Sequence, residues 1–105
     1  MTDTELLEFA AKAGGYSFDG DVLRNNNTEF EYSGWNPLED DGDAFRLAVH
    51  LRMNICHYSG CTDAHDRVGV NNGYGIKPVP YKDDILKAVR RVIVLAAAEI
   101  GKDVK

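Results

Sequence analysis

Cationic residues are scarce in this chain: twelve lysines and arginines face seventeen aspartates and glutamates, leaving a formal charge of −5. Binding to nucleic acid or anionic membranes is driven mainly by cations meeting phosphate, so the deficit argues against a general binder of either. Cysteine is rarer still, with only Cys56 and Cys61. Two thiols without a secretory signal read as reduced cytosolic cysteines rather than a disulfide framework. The N-terminus, MTDTELLEFAAKAGG, is acidic and lacks the basic start and apolar centre of a signal peptide. No long apolar run is present. The longest, residues 92–98, falls far short of the roughly 20 residues that cross a bilayer. The chain is therefore expected to stay where it is made.

What is there suits one domain. A chain of 105 residues buries somewhat over ~60% of its unfolded surface, enough for one modest core without staples. Hydrophobic residues at 44% and charged residues at 28% are ordinary for a globular protein. No repeat, low-complexity tract or linker divides it.

The stretch that organises the chain is WNPLEDDGDAFRLAVHLRM, residues 35–53. Pro37 fixes its own φ and biases Asn36 towards extended backbone, so Trp35, Asn36 and Pro37 form a bend. Asp40 or Asp41 caps the helix that follows, and Glu39, Asp40, Asp41 and Asp43 crowd its positive end. Ala44, Leu47, Ala48 and Leu51 repeat at helical spacing as a buried stripe, widened by Phe45 and Val49. Asp43, Arg46 and His50 lie together on the opposite face. The helix is expected to end near Arg52.

A first helix spans residues 2–13. Thr2 and Glu5 have capping-box spacing, Leu6, Phe9, Ala10 and Ala13 form its apolar stripe, and Gly14-Gly15 ends it. Tyr16 and Phe18, then Phe30 and Tyr32, alternate with polar residues as two short, half-buried strands. Asp19-Gly20 and Asn25-Asn26-Asn27 supply turns between them. After the central helix, residues 55–59 and 67–71 read as strands joined by a hairpin loop over 60–66, with Val68 and Val70 facing the core. Residues 72–80 hold two glycines and two prolines, which indicates a loop and not a central strand. A last helix spans residues 81–100 and stops at Gly101. Ile85, Val89, Val92, Ala96 and Ile100 form one stripe, with Leu86, Ile93 and Ala97 beside it. Uncharged all round from 92 to 98, this helix is expected either at the centre of the fold or at a subunit interface. The order of elements predicts an α+β protein: a single-domain α/β sandwich with a mainly antiparallel sheet of three to five short strands packed with three helices.

The pattern W-x-P-L-x-D-D-G-D-A, followed by R-L-A-V-x-L, resembles the signature of small bacteriophage proteins grouped as the phage "ABA sandwich" domain. Residues 92–101, ending AAAEIG, are similar to that family's closing helix. The resemblance covers about two thirds of the chain. It implies a compact α/β sandwich of phage origin, located in the host cytoplasm. It implies no reaction, so it carries over no catalytic residue and no cofactor. The chain departs from the family in its Cys/His-containing middle.

Four constellations remain. The acidic cluster at 39–43 could hold Mg²⁺ or supply an acid/base pair, but capping and dipole complementarity account for each carboxylate. Cys56, Cys61 and His65 are candidate zinc ligands with a fourth ligand unassigned; His57 points away if the strand is regular. The simpler reading is one buried thiol and solvated loop histidines. A Cys61 nucleophile with His65 and Asp63 or Asp66 has the right residue types but nothing to form an oxyanion hole. Tyr74, Lys77, Tyr81, Arg90 and Arg91 could line a pocket for an anionic, aromatic ligand; the simpler reading is a glycine-bearing loop and a solvated basic helix face, with Lys87, Arg90 and Arg91 pairing with Asp83 and Asp84. Trp35 is expected in the core; exposed, it would join Arg46 and His50 as a partner surface.

These readings converge on a phage accessory protein that is not an enzyme and acts by binding a host or phage protein, as a homo-oligomer, a dimer first. One alternative is sequestration of a small anionic ligand such as a nucleotide defence signal. The other is a zinc- or Mg-dependent hydrolase.

Overall fold

Thr2 opens the fold with the capping box that its spacing predicts. Its hydroxyl accepts the Glu5 backbone N–H at 3.2 Å, and the Glu5 carboxylate accepts the Thr2 N–H at 3.1 Å. The computed structural model describes residues 2–25, 27–58, 67–71, 79–80 and 84–104. Helix α1 (Asp3–Ala13) leads into a three-stranded antiparallel sheet of β1 (Ser17–Asp19), β2 (Val22–Arg24) and β3 (Glu31–Ser33). Helix α2 (Asp41–His50) follows. A second three-stranded antiparallel sheet joins β4 (Asn54–Tyr58), β5 (Arg67–Asn71) and β6 (Val79–Pro80), and helix α3 (Ile85–Lys102) closes the chain. The class is α+β with three helices.

The strands divide between two sheets rather than gathering in one. The additional strand is β2, between the two expected before α2. Its three residues are too few to show alternation, yet Gly20 at φ 66° turns β1 directly back onto it, pairing Asp19 with Val22. Residues 79–80 were expected as loop and instead form the edge strand β6. Proline is tolerated at an edge, where no ladder donor is required.

Helix α3 occupies the centre. Ile93, Val94, Ala97 and Ala98 pack with the buried faces of α1 and α2, while Ala88, Val92 and Ala96 pack with Val68 and Val70 of β5. Of the two positions the apolar run of residues 92–98 allowed, the structure shows the central one. The helix starts later than expected, at Ile85, because Asp84 is its N-cap and accepts the Lys87 N–H at 3.0 Å. Ile85 and Leu86 consequently sit on the exposed first turn.

Gly101 does not stop α3. It lies buried inside the last turn, where a Cβ would collide with the Phe9 backbone, 2.6 Å from its carbonyl carbon. The glycine allows α1 and α3 to approach backbone to backbone. Arg90 and Arg91 also find partners other than those expected. Arg90 donates to the Leu38 carbonyl at 2.9 Å and to Asp41 at 2.6 Å, and Arg91 donates to Asp3 at 3.0 Å. Both arginines tie α3 to the starts of neighbouring helices.

Candidate functional site

The bend at Trp35 builds one wall of the site. Asn36 closes it: its side-chain oxygen accepts the Leu38 N–H at 3.1 Å, and its backbone oxygen accepts the N–H groups of Glu39 and Asp40. The Asn36 N–H in turn donates to Asp43 at 2.9 Å, folding the bend onto the first turn of α2. Asp40 is the N-cap and accepts the Asp43 N–H at 2.7 Å.

Asp43 was expected on the solvated face, yet it is 1% exposed. A buried carboxylate needs hydrogen-bond partners, and one of its oxygens takes the Asn36 N–H. Its other oxygen accepts from Arg46 at 2.6 Å. That hydrogen bond is the chief cause of a raised Arg46 pKa, so the guanidinium stays cationic at every accessible pH. Gly42 belongs to the same arrangement. A Cβ there would lie 3.3 Å from both terminal nitrogens of Arg46, so the missing side chain gives the guanidinium room. Asp40, Asp41 and Asp43 of the acidic cluster are thus accounted for by capping, by the tie to Arg90 and by the Asp43 hub. Among the described residues, no group of three or more His, Cys, Asp or Glu side chains is placed to hold a metal ion.

Phe45 and Val49 do not widen the buried stripe of α2. They are 67% and 58% exposed. Helix α2 packs broadly on α3 alone, through the narrow face of Ala44, Leu47 and Ala48, so its outer flank stays in solvent.

A cavity of about 340 Å³ opens between α2 and the first sheet. Leu23 pairs with Tyr32 across β2 and β3, which puts both side chains on one sheet face, and Phe30 lies two residues before Tyr32 on the same side. Leu23, Ala11, Leu47 and Trp35 are buried and form the base. Tyr16, Phe30 and Tyr32 form the walls, with Arg46 and His50 at the rim. The rings brace one another. Tyr16 lies 5.9 Å from Phe30 and 5.9 Å from His50, and Trp35 meets Phe18 edge-on at 5.4 Å. His50 Nε2 is 3.1 Å from the Gly14 carbonyl. A carbonyl only accepts, so Nε2 is the donor in this contact.

The structure therefore brings together Trp35, Arg46 and His50, the three residues expected at a partner surface, but as parts of one cavity with Trp35 buried. Arg90 and Arg91 are engaged elsewhere, and Tyr74, Lys77 and Tyr81 lie outside the described residues, as do Cys61 and His65. Cys56 is a free, half-buried thiol on β4. Sequence reasoning missed Tyr16, Leu23, Phe30 and Tyr32 as site residues. The alternation of Tyr16 with Phe18 and of Phe30 with Tyr32 suggested strand faces but not the helix they meet, and Leu23 carried no such signal. No family model, curated protein or solved structure matches the chain.

Proposed function

We propose that this chain is a non-catalytic binding protein that holds a small molecule in the aromatic cavity between α2 and the first sheet. The observation that carries the reading is the cavity itself. It joins an apolar base and aromatic walls to a few polar groups at the rim, the usual composition of ligand clefts. Its 340 Å³ is at the low end of the roughly 300–1,000 Å³ such clefts span. The polar groups suit holding rather than reacting: Arg46 is bound to Asp43 and His50 to the Gly14 carbonyl. The resemblance of residues 35–51 to phage ABA-sandwich proteins supports reading it as a phage accessory protein, where capture of a host small molecule needs no chemistry.

Trp35 is the only tryptophan in the chain and lines the cavity, so its indole N–H gives one NMR cross-peak that reports on the site. A panel of small aromatic compounds should shift that peak saturably. A panel that leaves it unmoved while the protein stays folded would remove the reading.

A second reading, binding of a host or phage protein or of a second copy, is favoured by Phe45 and Val49, an exposed apolar pair four residues apart on α2. It predicts a concentration-dependent mass by light scattering that Phe45→Ser with Val49→Ser abolishes, or loss of a captured protein in the same variant. A monomer at high concentration would count against the second copy.

A further inference from the structure

We infer that the ligand of this cavity is a single planar ring system carrying one carboxylate or comparable lone acceptor group, and not a polyphosphate nucleotide. The inference rests on the ligand-binding reading above and adds the ligand's chemistry. The body of the ligand follows from the walls. Tyr16, Phe30, Tyr32 and Trp35 present ring faces and edges around a space at the low end of ligand-cleft volumes. Rings gain from offset or edge-on contact with such walls beyond the area they bury.

The ligand's charge follows from Arg46, the one lysine or arginine among the described residues lining the cavity. Both of its carboxylate contacts fall on Nη2, Asp43 at 2.6 Å and Asp40 at 3.9 Å. Nη1 and Nε have no acceptor among the described residues, and the side chain is 65% exposed. Each of these nitrogens can still donate, so an acceptor group arriving at the rim gains a charge-assisted hydrogen bond. A polyphosphate carries several negative charges and calls for several cations. Here Arg46 is the single cation among the described lining residues, with donors left for one acceptor group rather than for a chain of phosphates.

The test follows the Trp35 indole cross-peak during titration with indole-3-acetate, tryptamine, adenosine and ATP. Indole-3-acetate should bind about tenfold more tightly than tryptamine, the size of one charge-assisted hydrogen bond. Arg46→Gln should erase that preference, and Arg46→Lys should keep most of it. ATP should bind no more tightly than adenosine. Tighter binding of tryptamine or ATP, or an undiminished preference in a folded Arg46→Gln variant, would overturn the assigned ligand class while leaving a ligand cavity in place. No shift with any of the four compounds would overturn the ligand class together with the cavity reading on which it rests.

Discussion

Replacing Asp43 with alanine takes away the acceptor that holds the Trp35 bend against α2. The Asn36 N–H, 2.9 Å from that carboxylate, loses its partner at a half-buried site. An orphaned buried donor costs about 1–3 kcal/mol. Loss of a carboxylate from the first turn of a helix adds about 0.3–1 kcal/mol through the helix dipole. The ion pair with Arg46 is left out of the sum, because the guanidinium stands in solvent and screening leaves it little. The expected loss is about 2–3 kcal/mol. In a domain near this size each kcal/mol moves Tm by roughly 4–8 °C, so a drop of about 10–20 °C should appear in calorimetry. Asp43→Asn keeps an acceptor for Asn36 but loses the charge, so it should fall between the parent and Asp43→Ala. Urea titration gives the same ordering independently, with unchanged slope and a lower midpoint. If Asp43→Ala stays within about 0.5 kcal/mol of the parent, the range of ordinary surface substitutions, the hub reasoning is wrong.

Gly101→Ala sets two effects against each other. Helix propensity favours alanine by about 1 kcal/mol, but the added Cβ meets the Phe9 backbone, and overpacking costs about 1–3 kcal/mol or more. The protein should be destabilised in urea; a rise in midpoint would refute the close approach of α1 and α3. Arg90→Ala removes hydrogen bonds to Leu38 and Asp41 and should cost about 1–2 kcal/mol without altering affinity in the Trp35 titration. A selective loss of affinity there would move the ligand towards Arg90. Glu5 has its pKa lowered, first by the Thr2 backbone hydrogen bond and then by the Thr2 hydroxyl. The folded state binds its proton less readily, so the cap's contribution is present above the ordinary glutamate pKa and is lost as pH falls through the depressed folded value. Glu5→Gln should flatten that part of the acid limb of Tm against pH, and an unchanged limb would sink the assignment.

Local chemistry was legible in the sequence. The capping box at Thr2, the bend at Pro37 and the Asp40 cap each depend on neighbours within a few residues, whereas the strand expected to be half-buried at Phe30 and Tyr32 is Glu31–Ser33 and exposed. Residues whose roles depend on distant partners were not legible. Asp43 reads by spacing as part of the face opposite the helical stripe, and its burial follows only once Asn36 folds back above it. A glycine near the end of a periodic run reads as a stop, and only the Phe9 backbone shows that Gly101 belongs inside the helix. Phe45 and Val49 fit the stripe by spacing, but α3 is too narrow a partner to cover them. The cavity was the least legible, because it exists only where a sheet face meets a helix flank. The resemblance pattern itself reads structurally: Trp35, Asn36, Pro37, Asp40, Gly42 and Asp43 build the wall that places Arg46.

The central claim is that a small molecule occupies the space between α2 and the first sheet. Isotope-filtered NOEs between labelled protein and bound indole-3-acetate test it most directly. The account predicts contacts from the bound ring to Leu23, Tyr32 and Trp35. Contacts confined to Phe45 and Val49, or to the sheet of β4, β5 and β6, would contradict it.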